Sequence, residues 1–344
     1  MKIIADAAIP FLQGVFEPYA EVVYKPGGEI RKEDLKDADA LVIRTRTHCN
    51  AYLLEDTPVK IIATATIGTD HIDLPWCNEH GIFVQNAPGC NAGGVMNYVF
   101  SALYGAASRK SIPLNGSTLG IIGVGNVGSR VEDMARYLGF KVLLNDPPRE
   151  ALEGPALFCK LDYLLRNSDI VTMHVPLNET TRGMADSSFF EKMKLGAFFI
   201  NASRGEVISD DALMNAIPKL GPVIIDTWNN EPNVNQTLMS MVDIATPHIA
   251  GYSYQGKQRG TAMAVRAVAR FFELKDLYDF FPKTEVKELE AVKLDLKGMS
   301  QGQRASLIQY NYPVFTDDFM FRSNPGDFEK LRSNYSYRRE FYVF

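Results

Sequence analysis

The stretch LGIIGVGNVGSRVEDMARYLG, residues 119–139, joins an apolar run to a segment with apolar residues at helical spacing, and a glycine-rich turn lies between them. Strand, tight turn and helix is the natural reading. Gly123, Gly125 and Gly128 stand in GxGxxG spacing, which serves a tight turn, close approach of the backbone to a pyrophosphate, and close packing of helix on strand. The helix N-terminus would face the phosphates. Alone this spacing is a weak signal, but the next run, KVLLND, ends in Asp146 near the distance expected for a carboxylate that accepts hydrogen bonds from a ribose diol. A carboxylate there repels a 2′-phosphate and favours NAD over NADP. The alternative is that Asp146 only caps the DPPR turn.

The same alternation continues on both sides. Strand-like runs KIIADA, EVVYK, ALVIRT, KIIATAT and IFVQNA fill residues 1–92, and DIVTMHV, AFFINAS, PVIIDT and DIATP follow KVLLND. Strands alternating with helical connectors predict an α/β fold of two Rossmann-like, doubly wound parallel-sheet domains. A helical segment at 93–110 leads into the second. Another, at 256–275, is apolar at i, i+3 and i+4 and is expected to return to the first. The expected layout is a discontinuous substrate domain (1–92 and 253–282), a nucleotide-binding domain (93–252) and a short C-terminal association segment (283–344).

With 344 residues, 46% apolar and 22% charged, the chain has the composition of a globular protein with about two domains. A net charge of −5 without basic blocks argues against a nucleic-acid partner. Cys49, Cys77, Cys90 and Cys159 show no paired CxxC spacing, so neither a metal site nor a disulfide framework is expected, and a reducing cytoplasm fits. The opening MKIIADAAIP breaks its apolar run at Asp6, and no later run is long enough to span a bilayer.

Oxidising a 2-hydroxy acid requires a grip on the carboxylate, a base for the hydroxyl proton and a hydride acceptor. Arg204, in FFINASRGEV, follows a strand, and its guanidinium can hold a carboxylate through two parallel hydrogen bonds. Glu231 stands ahead of Pro232 after the strand PVIIDT, and His248 emerges after DIATP, at the strand edge that faces the ligand crevice in α/β proteins. A carboxylate near the imidazole would orient it and favour its charged form. Simpler alternatives are a structural histidine and a surface ion pair or loop cap for Arg204 and Glu231. In ALVIRTRTHCN, Arg44 and Arg46 lie two apart and share one side if the backbone stays extended. With Thr45 and His48 they would form an anion pocket suited to a phosphate, unless the cluster is a solvated face.

Arg204, Glu231 and His248, following successive strands in the contexts NASRG (201–205), NEP (230–232) and TPHIAG (246–251), resemble the D-2-hydroxyacid dehydrogenase family. The resemblance implies that Arg204 anchors substrate, Glu231 partners the histidine and His248 is the acid/base. It also implies NAD contacts from Gly123, Gly125, Asn126, Val127, Gly128, Asp146, Val175, Ala202, Ser203, Arg204, Asp226 and Gly251, with closure of the two domains around the ligands. ATATIGTDHID (63–73), NAPGCNAGGV (86–95), NDPPR (145–149), HIAGYSYQGKQRGT (248–261) and the tail NPGDFEKLRSNYSYRRE (324–340) are similar to one family member that acts on a phosphorylated 2-hydroxy acid. By that similarity Arg44 and Arg46 meet the phosphate, Thr45, Thr66 and Tyr252 touch substrate, and the tail makes a homodimer.

Two positions depart from the pattern: Asn97 stands where relatives carry glutamate, and Val175 stands where a threonine contacts the cofactor. Arg338 and Arg339, in SYRREF, are candidates to reach the phosphate pocket of a partner subunit. Competing functions are a dehydrogenase of 3-phosphoglycerate or glycerate and an NAD-sensing binding protein of the same fold.

Overall fold

The computed structural model describes residues 1–284 and 286–343. The chain divides into two compact units, Met1–Asn91 with Tyr254–Glu290 and Ala92–Ser253 with Ala291–Phe344.

In the first unit, β1 (Lys2–Asp6), β2 (Glu21–Lys25), β3 (Ala40–Ile43), β4 (Ile61–Thr64) and β5 (Phe83–Gln85) pair in parallel in the order β2-β1-β3-β4-β5. Each matches one of the five apolar runs read from the sequence. Side chains alternate across the pleat: Ile3, Ala5, Val42 and Ala63 enter one core, while Ile4, Leu41, Ile43 and Ile62 enter another. A parallel sheet of this kind needs cover on both faces. The returning helix, Tyr254–Phe271, supplies one cover by burying Ala264, Val265 and Val268 against the first of these cores.

The second unit carries β6 (Thr118–Ile122), β7 (Lys141–Asn145), β8 (Ile170–Met173), β9 (Phe198–Asn201), β10 (Val223–Ile225) and β11 (Ile244–Ala245), all parallel, in the order β11-β10-β9-β8-β6-β7. The strand order reverses between β6 and β8, and doubly wound sheets bind ligands at the carboxyl ends beside such a reversal. The glycine turn sits there. Gly123 has φ 83°, and a Cβ on it would come within 2.7 Å of the His174 carbonyl that follows β8. A Cβ on Gly128 would overlap the Gly123 carbonyl, so both positions require glycine.

The stretch 283–344, read from sequence as an association segment, is divided: its residues up to Glu290 group with the first unit, and those from Ala291 group with this one. Leu296, Ile308, Tyr312, Val314 and Phe341 join Val99, Leu103 and Ile121 in one core, while Phe321 and Phe328 join Trp228 in the other. Helix Ala92–Arg109 is therefore covered along most of its length. Asn97 explains its own departure from the family pattern: its amide donates to the Phe341 carbonyl at 2.8 Å and accepts from the Phe341 N–H at 2.9 Å. A carboxylate could not do both.

Candidate active site

β9, β10 and β11 are neighbours, so the loops after them leave the sheet side by side at one edge. These loops hold Arg204, Glu231 and His248. The His248 ring lies with Nδ1 2.8 Å from Glu231 Oε2, and Glu231 Oε1 accepts from the Trp228 N–H at 2.9 Å. Burial pushes the Glu231 carboxyl up, but the neighbouring His248 charge and these two hydrogen bonds outweigh it and hold the group below the usual range. An ionised carboxylate only accepts, so Nδ1 donates to Glu231 and Nε2 is the ring nitrogen left for proton transfer.

His248 itself is held in an uncommon conformation, φ 54°, of the kind that costs on the order of 1–3 kcal/mol and persists only where surrounding contacts fix it. Asp226 provides those contacts. Its carbonyl accepts from the His248 N–H at 2.7 Å, and its carboxylate accepts from the N–H groups of Ile249 (2.9 Å) and Ala250 (3.0 Å) and from the Thr246 hydroxyl (2.7 Å). Because Thr246 donates to Asp226, it must accept from the Tyr98 hydroxyl, 2.8 Å away. The Trp228 indole donates to the Thr246 carbonyl at 2.8 Å, closing the network. Asp226, expected beside the cofactor, is 1% exposed and turned toward this loop, and burial raises its carboxyl against the pull of His248 and the hydrogen bonds. Sequence reasoning misses Tyr98, Trp228 and Thr246. Thr246 and Trp228 adjoin the TPHIAG and NEP motifs, whereas Tyr98 lies 148 residues from its partner and has no local signal.

Arg204 arrives on a pinned loop. The Asn201 amide donates to the Arg204 carbonyl at 2.9 Å and to Thr227 Oγ1 at 3.1 Å, and its oxygen accepts from the Ser203 N–H (3.1 Å) and hydroxyl (2.7 Å). Gly205 lies so close to the Trp228 backbone that a Cβ would overlap it. The arginine loop is thereby packed on the loop that holds Glu231.

On the dinucleotide side, helix Asn126–Leu138 starts at Gly125 with no side chain capping it, and Gly125 and Asn126 are exposed. A Cβ on Gly125 would meet nothing within 4 Å, so protein packing does not explain the glycine. Uncapped N–H groups with open space beside them suit a pyrophosphate. Half-buried Asp146 caps the next helix by accepting from the Arg149 N–H at 3.0 Å, and it also accepts from the Val124 N–H at 2.7 Å inside the glycine turn. The capping alternative is thus real, and the same side chain ties the end of β7 to the turn. Val127, Val175, Ala202 and Gly251 are partly exposed around this edge of the second unit, and Ser203 is buried.

The first-unit candidates are arranged differently from expectation. The chain turns directly after Ile43, so Arg44 and Arg46 do not share an extended face. Arg44 Nε reaches back 3.0 Å to Asp6 Oδ2, because the Asp6 carboxylate, 1% exposed, needs a cation. Thr45 and Arg46 remain exposed, and the Thr66 hydroxyl lies 2.8 Å from that of Thr64. In the second unit, Tyr252 is half-buried with its ring edge-on to Tyr335 and Tyr337, at 6.0 and 6.4 Å between centroids. Arg338 and Arg339 bond within their own chain: Arg338 with Asp317 at 2.6 Å, Arg339 with Asn311 at 3.0 Å. No helix among the described residues is long and apolar enough to cross a membrane, and no cluster of metal-ligating side chains occurs among them.

Comparison with known proteins agrees with the fold. The profile of the D-isomer specific 2-hydroxyacid dehydrogenase, NAD binding domain, matches residues 100–250. Erythronate-4-phosphate dehydrogenase of Bacteroides fragilis is 44% identical over 347 residues, covering 99% of this chain and 97% of its own. The Escherichia coli enzyme of that name is 40% identical, covering 99% and 92%. Among solved structures, NAD-bound 3-phosphoglycerate dehydrogenase of Entamoeba histolytica superposes with a TM-score of 0.68 at 26% identity, covering 83% of this chain and 99% of its own. D-lactate dehydrogenase of Aquifex aeolicus with NAD and lactic acid gives 0.66 at 25%, covering 82% and 100%. The chain belongs to the D-isomer specific 2-hydroxyacid dehydrogenases, a family of NAD-dependent enzymes, and within it to the erythronate-4-phosphate dehydrogenases.

Proposed function

We propose that this protein oxidises 4-phospho-D-erythronate at C2 to 2-oxo-3-hydroxy-4-phosphobutanoate in pyridoxal phosphate biosynthesis. The observation that carries the chemistry is the 2.8 Å Glu231–His248 pair, which joins the loops after β10 and β11 beside the loop of Arg204. Arg204 grips the C1 carboxylate with two parallel hydrogen bonds. His248 Nε2 removes the C2 hydroxyl proton, and Glu231 stabilises the imidazolium that results. Bound NAD accepts the hydride leaving C2. Asp146 accepts from the ribose diol and disfavours a 2′-phosphate, while the helix N-terminus at Gly125 and Asn126 meets the pyrophosphate. Substrate contact by Arg44, Thr45, Arg46, Thr66 and Tyr252 belongs to the same proposal and is supported by the family likeness.

A cytoplasmic homodimer completes the picture. The unpaired spacing of Cys49, Cys77, Cys90 and Cys159 in the sequence suits a reducing compartment. Tyr310, Phe319 and Met320 are exposed on helices Gln301–Asn311 and Val314–Ser323, offering apolar surface for self-association. The deciding experiment follows NADH formation with erythronate 4-phosphate, 3-phosphoglycerate and D-glycerate in parallel. Turnover highest with erythronate 4-phosphate supports the assignment, whereas preference for 3-phosphoglycerate replaces it. In the same assay, Asp146→Ala should erode the preference for NAD over NADP.

A further inference from the structure

The tail brings one more cation to the reaction centre, and it is neither of the two that the sequence suggests. Arg338 is committed to its own chain: it donates to Asp317 at 2.6 Å and to the Tyr335 hydroxyl at 2.8 Å, and its guanidinium carbon lies 4.7 Å from the Tyr312 ring centroid. Arg332, on helix Phe328–Ser333, is held less firmly. Its side chain is 13% exposed, and its ion-pair partner is Glu329 Oε1, 3.7 Å from Nη1, too far for a hydrogen bond. Its Nε is buried with no hydrogen-bond partner among the described residues.

The guanidinium is flanked by rings, with its carbon 5.8 Å from the centroid of Tyr252 and 5.5 Å from that of Phe328. Aromatic faces attract a cation but do not satisfy its N–H donors. A charged group kept out of water with an unmet donor is costly, and the cost is removed when a ligand brings the complementary anion. The position says which ligand. Tyr252 is four residues from His248, and the Arg332 charge is felt at the Glu231 carboxylate.

We propose that Arg332 determines substrate specificity by receiving the phosphoryl group of the 2-hydroxy acid, so that the C-terminal tail completes the substrate site of its own chain. A guanidinium fork suits phosphoryl oxygens, and Arg204 already accounts for the carboxylate in the function proposed above, on which this inference rests.

The test compares wild type, Arg332→Gln and Arg332→Lys as full-length, NAD-loaded protein. One arm measures KM and kcat with erythronate 4-phosphate and with unphosphorylated erythronate, and a second measures thermal stabilisation by inorganic phosphate. Loss of a charge-assisted hydrogen bond should raise KM for the phosphorylated acid by roughly tenfold to a hundredfold in Arg332→Gln, with kcat and the NAD Kd nearly unchanged. The unphosphorylated acid should show no such penalty. Stabilisation by phosphate should vanish in the glutamine variant and return in part with lysine. Equal losses on both acids, as a carboxylate contact would give, overturn the proposal, and so does phosphate stabilisation that is absent from wild type or unaltered by the substitutions. If wild type turns over some other phosphorylated acid, the assigned substrate fails while the phosphate arm still reports on Arg332.

Discussion

One carboxylate ties the loop after β10 to the loop after β11: Glu231 holds the His248 ring through Oε2 at 2.8 Å and accepts from the Trp228 N–H through Oε1 at 2.9 Å. The acid/base is therefore set by the fold of two loops at once. Glu231→Gln keeps the shape but removes the charge that fixes the tautomer and favours the imidazolium. A fall in kcat of about 10²-fold or more is expected, with the NAD Kd little changed.

The same substitution should alter the acid limb of stability. A carboxyl held below its ordinary value of 4.5 contributes stability that is present above that value and lost as pH falls through the lowered one. Unfolding of Glu231→Gln, followed from neutral pH downward, should be less dependent on pH below about 4.5 than that of wild type. An unchanged profile would mean that the pair contributes nothing to folding.

His174 behaves in the opposite chemical sense. Burial pushes its imidazole down from 6.5 to about 3, its Nε2 lies 3.0 Å from Thr172 Oγ1, and its Nδ1 has no partner among the described residues. The native chain keeps it neutral while the unfolded chain takes up a proton, so stability declines as pH falls from 6.5 toward 3, by up to ~1.4 kcal/mol per pH unit from this group alone. His174→Gln should flatten that slope in denaturant titrations. A slope as steep as that of wild type would contradict the neutral assignment.

Arg44 should reveal itself first through stability. Removing its guanidinium takes away the cation that faces the Asp6 carboxylate, which is 1% exposed and also accepts from the Ala8 N–H at 2.9 Å. Arg44→Met is expected to lower unfolding stability by about 1–3 kcal/mol, the penalty of a buried acceptor deprived of its partner. Wild-type stability in this variant would show the pair to be dispensable.

The sheets are legible in the sequence because their signals are local. Five apolar runs form β1–β5, and the glycine turn is marked by its own spacing: Gly128 answers to the Gly123 carbonyl a few residues away, whereas the His174 carbonyl that crowds Gly123 lies far along the chain. The reactive pair is legible for a similar reason, since residues that follow parallel strands must share an edge. Pairings across long stretches of chain are not. Nothing near Arg44 in the sequence announces its pairing with Asp6, and the turn after Ile43 removes the extended geometry on which its alignment with Arg46 depends. Asn97 with Phe341, and Tyr98 with Thr246, depend on segments that meet only in the folded unit. Spacing likewise points to Arg338 and Arg339 in the tail, whereas what distinguishes Arg332 is the 3.7 Å separation from Glu329 against the 2.6 Å hydrogen bond that ties Arg338 to Asp317, together with its place beside Tyr252.

Hydride transfer with proton removal by His248 is tested most directly by single-turnover oxidation of erythronate 4-phosphate in wild type and His248→Asn, with NAD affinity measured alongside. The expected result is a rate of NADH formation about 10²–10⁴-fold lower in the variant while its NAD Kd stays within error of wild type. A variant that forms NADH at the wild-type rate would contradict the proton role of His248.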